Sequence, residues 1–266
     1  MAESKQSQPL SLIDQLPDLA ALEAALERKR RNRLSKWFPD TGPFRRELYP
    51  KHMEFFAASR EHRETLFMAA NRVGKTLCGS YATTLHMTGL YPDWWPGRRF
   101  TTPVTAWIVN NTAVTCRDIN QVALLGELGQ TGTGMIPGEL ITHMKSKPSV
   151  PDGIEIIYIK HVSGGQSTGL FKSYDQGRQK FEGTSIHVIW ADEEIPEDVY
   201  GECLMRTMIV PGTDKGGIIY CTYTPLQGLT PTTVAFLTHS VNKDSLPIKF
   251  NAKKEGSDSY GHERGY

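Results

Sequence analysis

The chain has 266 residues, 39% of them hydrophobic, which suffices for a sizeable core in one large or two small domains. Thirty basic against 29 acidic side chains give a net charge of +1, which excludes a globally basic nucleic-acid binder, so any polyanion binding must be local. The four cysteines form no CxxC pair and no stretch approaches about 18 apolar residues, so we expect an intracellular protein with neither zinc site, disulfide framework, signal peptide nor membrane contact.

The N-terminal stretch predicts an amphipathic helix. In "LPDLAALEAALERKRRNRLSKWF", Leu19, Leu22 and Leu26 lie at helical spacing, and basic residues follow from Arg28 to Lys36. These cations are suited to DNA phosphates or to an acidic partner surface, or they form an ordinary solvated helix face. We therefore expect residues 1–45 to be a helical N-terminal arm.

The stretch "TLFMAANRVGKT" predicts a strand over Thr65–Ala70, then a glycine-containing loop, then a helix. That order directs backbone N–H groups and the positive end of a helix towards a polyphosphate. We expect Lys75 to reach the β and γ phosphates and the Thr76 hydroxyl to ligate Mg²⁺. A helix start that happens to read Gly-Lys-Thr is the alternative.

Further strands and helices alternate along the rest of the chain. Apolar runs predict strands at 105–110, 154–160, 170–174, 185–191 and 216–224, and helices around 116–128 and over Glu197–Met208. Residues 129–153 are rich in Gly, Pro, Ser and Thr and predict a surface excursion. This alternation predicts an α/β fold with a parallel sheet flanked by helices over residues 46–243, and residues 244–266 predict a linker or tail.

Three acids follow the most apolar strand, in "IHVIWADEEIPEDV". Repulsion among Asp192, Glu193 and Glu194 at the end of a buried strand must be offset by a cation, unless they lie on a surface turn. We expect Asp192 to be the metal-side carboxylate and Glu193 the base that orients water. Glu194 either substitutes for Glu193 or caps the helix that starts after Pro196.

A third stretch, "IIYCTYTPLQG", ends a strand in hydroxyl side chains. Next to a phosphate loop, Thr222 and Thr224 are placed to sense the γ phosphate and to relay its loss to the following segment. A simple strand exit, with threonine favoured by its β propensity, explains the same residues.

In this order, the stretches resemble the ATPase domain of the large subunit of tailed-bacteriophage terminase, the DNA-packaging motor. "FMAANRVGKT" resembles that family's variant Walker A, "VIWADEEIP" its Walker B with the catalytic glutamate, and "CTYTPLQGLT" its coupling motif. "FRRELYPKHMEFFAA" resembles its adenine-side motif, in which His52 stands where the family often has glutamine. The resemblance covers roughly residues 40–240 and implies a P-loop NTPase fold of the RecA/ASCE type.

The resemblance also implies roles for individual residues. It makes Asp192 the Walker B carboxylate and Glu193 the catalytic base. The implied nucleotide contacts are Tyr49, Pro50, Ala69, Ala70, Asn71, Arg72, Val73, Gly74, Lys75 and Thr76. The family places an arginine at the γ phosphate, from the same subunit or from its neighbour. Arg72 and Arg178 are the candidates, with Arg206 third, and an ordinary surface ion pair is the alternative for each.

The implied function is ATP hydrolysis that drives double-stranded viral DNA into the procapsid, with ATP and Mg²⁺ bound. The implied partners are DNA, the portal protein, the terminase small subunit and further copies in a ring. The implied location is the host cytoplasm, transiently at the procapsid portal. Acids after Thr224 lie in a polar tail, so we expect no nuclease domain in this chain. The alternatives are a nucleotide-binding interaction module without turnover and a helicase-like ATPase, which requires a second RecA-like domain.

Overall fold

The computed structural model describes residues 33–226 and 228–241. Most of the predicted basic helix and the predicted tail after residue 243 lie outside this range. Within it, the end of that predicted helix is a short 3-10 helix, Leu34–Lys36, and Trp37 has an extended backbone. The predicted domain boundaries therefore stay predictions, and the fold below is that of the central part of the chain.

Seven strands form one mixed sheet in the order β1-β7-β6-β2-β5-β4-β3. Their bounds are β1 Glu64–Met68, β2 Thr105–Asn110, β3 Ile141–Ser146, β4 Ile154–Lys160, β5 Gln166–Ser173, β6 Val188–Asp192 and β7 Ile218–Tyr223. Strands β1, β7, β6, β2 and β5 are parallel, whereas β4 and β3 are antiparallel additions at one edge. The sheet is mixed rather than all parallel because only residues 161–165 connect β4 to β5, too few for a crossover.

Helices flank the sheet on both faces. Their bounds are α1 Pro50–Ala58, α2 Lys75–Thr88, α3 Ala113–Thr115, α4 Val122–Leu125, α5 Glu197–Met208 and α6 Pro231–Val241, and a π-helical segment, Cys116–Gln121, joins α3 to α4. The predicted bounds of α5 are confirmed, and the predicted helix at 116–128 ends at Leu125. In the described ranges, no helix combines the length and apolar character needed to cross a membrane.

The predicted surface excursion at 129–153 is wrong in part, because it contains β3. The strand was missed because its side chains do not alternate between apolar and polar: all six are half-buried or exposed, and it pairs only with β4 at the sheet edge. Met135 and Ile136 before it are buried, so this stretch also contributes to the core.

The central strands are buried on both faces, and successive residues pack into different cores. Trp190 of β6 belongs to a core that includes α1 and α2, whereas its neighbour Ile189 packs with α5 and α6. Helix α2 approaches β6 closely because residue 79 is glycine, where a Cβ atom would lie 2.1 Å from the Trp190 indole nitrogen.

Strand β7 lies between β1 and β6. Because parallel strands end at the same edge of a sheet, the loop after β1, the acids after β6 and the hydroxyls of β7 meet there. This edge carries the predicted site.

Candidate functional site

Residues 69–74 form the loop between β1 and α2. Gly74 has φ +89°, a left-handed conformation that favours glycine, and an added Cβ there would lie 3.0 Å from the His52 Nε2 atom. Helix α2 begins at Lys75, so the loop ends at the N-terminus of a 14-residue helix. Unpaired N–H groups and the positive end of the helix dipole make this position favourable for an anion.

Lys75 is held over the loop by three acceptors. Its Nζ atom donates to the carbonyl oxygens of Ala69, at 3.1 Å, and Ala70, at 2.8 Å, and to the Thr224 hydroxyl at 2.7 Å. Burial lowers the pKa of the ammonium, while the charges of Glu193 and Asp192 act in the opposite direction. The predicted coupling residue Thr224 therefore contacts the predicted phosphate-binding lysine directly.

Asp192 ends β6 with a side chain that is 1% exposed. It accepts hydrogen bonds from the hydroxyls of Thr222, at 2.6 Å, and Thr76, at 3.2 Å, and from the Asn120 amide at 3.2 Å. Burial raises its pKa to about 7, and the Glu193 charge adds to that rise, whereas the three hydrogen bonds oppose it.

The Asp192 carboxylate and the Thr76 hydroxyl fit a magnesium ion. Mg²⁺ is bound by oxygen ligands, usually by one or two carboxylates together with substrate phosphates. A carboxylate whose pKa is raised by burial is also one whose charged form gains most from a neighbouring cation. The predicted metal residues thus lie together and have the appropriate chemistry.

The structure adds two residues that sequence reasoning missed. Asn120 is fully buried on the π-helical segment, and its Oδ1 accepts from the Asn110 amide at 2.7 Å while its own amide binds Asp192. Trp190 donates through Nε1 to the Thr222 hydroxyl at 2.8 Å. Asn110 ends β2 at the same sheet edge, so the sequence marked this polar strand end, but it carried no signal for Asn120 itself.

Glu193 and Glu194 point in different directions. Glu193 has φ +72°, its side chain is half-buried, and burial raises its pKa while Lys75 lowers it. Glu194 is buried and accepts hydrogen bonds from Thr230, at 2.9 Å, and Thr233, at 3.4 Å, at the start of α6. The geometry thus favours Glu193 over Glu194 as the base, and Glu194 lies at the N-terminus of α6 rather than of α5.

The candidate arginines occupy different surroundings. Arg72 is exposed in the loop, with φ +64°, and makes no hydrogen bond or ion pair with another described residue. Arg178 pairs with Glu182 at 3.4 Å and with Glu202 at 3.6 Å, and Arg206 also pairs with Glu202, at 2.6 Å. Arg178 and Arg206 thus share a buried carboxylate on α5, and only Arg72 belongs to the loop.

The predicted adenine-side residues adjoin the loop through His52. Its Nε2 lies 3.0 Å from the Val73 carbonyl oxygen, so this nitrogen carries the proton and donates. Burial lowers the pKa of the imidazole, which favours the neutral form. Tyr49 precedes Pro50 at the start of α1, and its ring centroid lies 5.2 Å from that of His52.

Comparison with known proteins gives a consistent result. Residues 66–259 match the family model described as terminase large subunit, T4-like-virus type, N-terminal. The large terminase subunit of Salmonella phage P22 is 35% identical in an alignment of 209 residues that covers 71% of this chain and 41% of that protein. The chain thus spans about two fifths of that relative.

A solved structure with a TM-score above 0.5 shows the same fold. The large terminase of bacteriophage HK97 gives a TM-score of 0.52 at 10% identity, covering 79% of this chain and 40% of that one. The large terminase of a thermophilic bacteriophage gives a TM-score of 0.48 at 12% identity, covering 74% and 44%. At 10% identity, the likeness to the HK97 protein concerns the fold alone.

Proposed function

The chain belongs to the terminase large-subunit family of phages, and from that premise we propose that residues 46–243 form an ATPase that drives double-stranded viral DNA into a procapsid. The observation that carries this proposal is the meeting of Lys75, Thr76 and Asp192 at one sheet edge, with 3.2 Å between the Thr76 hydroxyl and Asp192. A phosphate-binding lysine beside a buried metal-side carboxylate is the arrangement that phosphoryl transfer requires.

The loop binds the phosphates of ATP. The three donors of Lys75, now shared among two carbonyls and one hydroxyl, are suited to phosphate oxygens, and the N-terminus of α2 adds backbone N–H groups. Mg²⁺, when held by Thr76 and Asp192, supplies positive charge to the phosphoryl oxygens. Tyr49 and Pro50 lie on the adenine side.

Glu193 orients the attacking water and accepts its proton. The rise of its pKa through burial brings the carboxylate closer to the range in which it acts as a base near neutral pH. Arg72 stabilises the charge of the transferring phosphoryl group, either in its own subunit or in the next.

Loss of the γ phosphate reaches the rest of the molecule through β7. Thr224 contacts Lys75 and Thr222 contacts Asp192, so one strand end touches both sides of the phosphate site. In this proposal the motor works with DNA, the portal protein and the small subunit, as a ring of copies, in the host cytoplasm and transiently at the procapsid portal.

The test is Glu193→Ala, with Glu197→Ala on the exposed first turn of α5 as the matched control. We expect Glu193→Ala to lower phosphate release at least about 10²-fold while ATP affinity by calorimetry changes little, because general-base catalysis contributes that much. Turnover near the wild-type rate in Glu193→Ala contradicts the base assignment. ATP binding by the wild-type chain without phosphate release, with or without DNA, favours a nucleotide-binding module instead.

A further inference from the structure

Glu194 is a buried acid that the proposed reaction does not use. Its side chain is 8% exposed, and its Oε1 atom accepts hydrogen bonds from the hydroxyls of Thr230, at 2.9 Å, and Thr233, at 3.4 Å. Its Oε2 atom is buried too and has no partner in the described part of the chain. In the described part of the chain, the hydrogen bonds of this carboxylate therefore come from the two threonine hydroxyls.

The same end of α6 is attached to the sheet at two further points. Thr232 donates to the carbonyl oxygen of Ile195 at 3.1 Å, and Thr233 is 2.8 Å from the Tyr223 hydroxyl at the end of β7. Three threonines around the first turn of α6 thus bind the segment after β6 and the end of β7. Only Glu194 among these partners carries a charge.

A negative charge is well placed at this end of the helix. Helix α6 has 11 residues, and the N-terminus of a helix carries a partial positive charge. A buried carboxylate that loses its donors retains the cost of its desolvation, so the contact resists separation.

The contact also bears on the turn that holds Glu193. A φ of +72° is uncommon for a residue with a side chain and persists only when its neighbours fix it. On one side Asp192 is fixed by Thr76, Thr222 and Asn120. On the other side Glu194 is fixed by α6.

We propose that Glu194 is a positioning residue that fastens α6 to the turn carrying Glu193, so that the orientation of Glu193 and the placement of α6 change together. This role rests on the proposed ATPase activity for its catalytic consequence, but the fastening itself does not depend on nucleotide. Glu194 makes no hydrogen bond to the loop over 69–74, so its loss acts on the catalytic step rather than on ATP binding.

The first experiment separates kcat from KM. We expect Glu194→Ala to lower kcat about tenfold or more while KM for ATP stays within about threefold, since small displacements of a catalytic group are costly. Glu194→Gln recovers most of the rate, because its amide oxygen still accepts from the hydroxyls. The control, Glu197→Gln, leaves both constants unchanged.

The second experiment follows hydrogen exchange of residues 231–241 in the full chain, without nucleotide and with ATPγS. Glu194→Ala and the double variant Thr230→Val/Thr233→Val raise exchange there about tenfold or more, as local opening becomes easier, and leave residues 75–88 unchanged. Thr238→Val, on the exposed side of α6, is the control. In the wild-type chain ATPγS changes the exchange of residues 231–241, and in Glu194→Ala it no longer does.

The outcomes are distinguishable. Wild-type exchange of residues 231–241 in Glu194→Ala overturns the fastening, whether or not the chain hydrolyses ATP, and so does a kcat that the substitution leaves unchanged in an active wild-type enzyme. A wild-type chain that releases no phosphate contradicts the proposed function, while the nucleotide-free exchange still decides the role of Glu194. Should Glu194→Ala not fold, the threonine double variant decides instead.

Discussion

Asp192 is 1% exposed and receives hydrogen bonds from three separate elements, whereas residues 70–73 of the phosphate loop are all exposed. The acid half of the site, Asp192 with Thr222 and Asn120, is thus an extension of the core. The shape of the loop half, residues 69–74, depends on its backbone conformation, with positive φ at Arg72 and Gly74. Substitutions in the acid half are therefore expected to affect stability and metal binding together, and those in the loop half to affect chemistry alone.

Arg72 gives the largest expected effect and tests the loop half. We expect Arg72→Ala to lower turnover at saturating ATP about 10³-fold, the lower end of the effect of such arginines, with an unchanged unfolding midpoint. We expect the turnover of Arg178→Ala to stay within about twofold of the wild-type rate, because that side chain is a half-exposed ion-pair partner of Glu182 and Glu202. Phosphate release measures both.

Mixing variants shows which subunit supplies Arg72. If Arg72 acts on the neighbouring subunit, Arg72→Ala mixed with Glu193→Ala regains part of the lost rate, since each protein supplies what the other lacks. If Arg72 acts within its own subunit, the mixture stays inactive. The reverse order of effects, a larger loss in Arg178→Ala than in Arg72→Ala, contradicts the assignment.

Asn120 gives an intermediate effect and tests the acid half. Asn120→Ala removes the amide that orients Asp192, and we expect the Mg²⁺ concentration for half-maximal turnover to rise about tenfold, as for other groups that hold a metal ligand. The matched control is Asn111→Ala, an exposed asparagine near the same sheet edge. An unchanged Mg²⁺ dependence in Asn120→Ala shows that Asp192 is oriented without it.

The pH dependence of stability tests the acid half without nucleotide, and its effect is small for each pH unit. Burial raises the folded-state pKa of Asp192 from 3.8 to about 7, so between these pH values the folded protein keeps a proton that the unfolded chain has released. Without Mg²⁺, the free energy of unfolding therefore falls as pH rises from about 4 to 7, by about 1 kcal/mol per pH unit, and this contribution is constant above 7.

Asp192→Asn removes that slope. Urea unfolding of both proteins at pH 5, 6, 7 and 8 in EDTA measures the difference between them. Parallel pH profiles for the two proteins contradict a raised pKa at Asp192.

The positions of the strand ends decide which residues of the site could be predicted from the sequence. Five predicted residues meet at one edge of the sheet, as expected from where the parallel strands end. These residues are Lys75, Thr76, Asp192, Thr222 and Thr224. Their roles in ATP hydrolysis stay predictions.

Two features had no comparable signal in the sequence. Asn120 lies within a predicted helix, and its direction depends on a π-helical turn that no apolar periodicity marks. The pairing of Arg178 depends on Glu202, which lies far along the chain on another element. Residues at strand ends were thus predictable, whereas the contacts of Asn120 and Arg178 were not.

The end of β7 and Thr224, which follows it directly, make contacts on both sides of the sheet. Side chains alternate across a strand, and here Thr222 and Thr224 contact Asp192 and Lys75 while Tyr223 between them contacts Thr233 of α6. The contacts with the proposed phosphate site and the contact with α6 are thus one residue apart, on opposite sides of the sheet. If the proposed phosphate site acts on α6, the end of this strand offers a direct route between them that is one residue long.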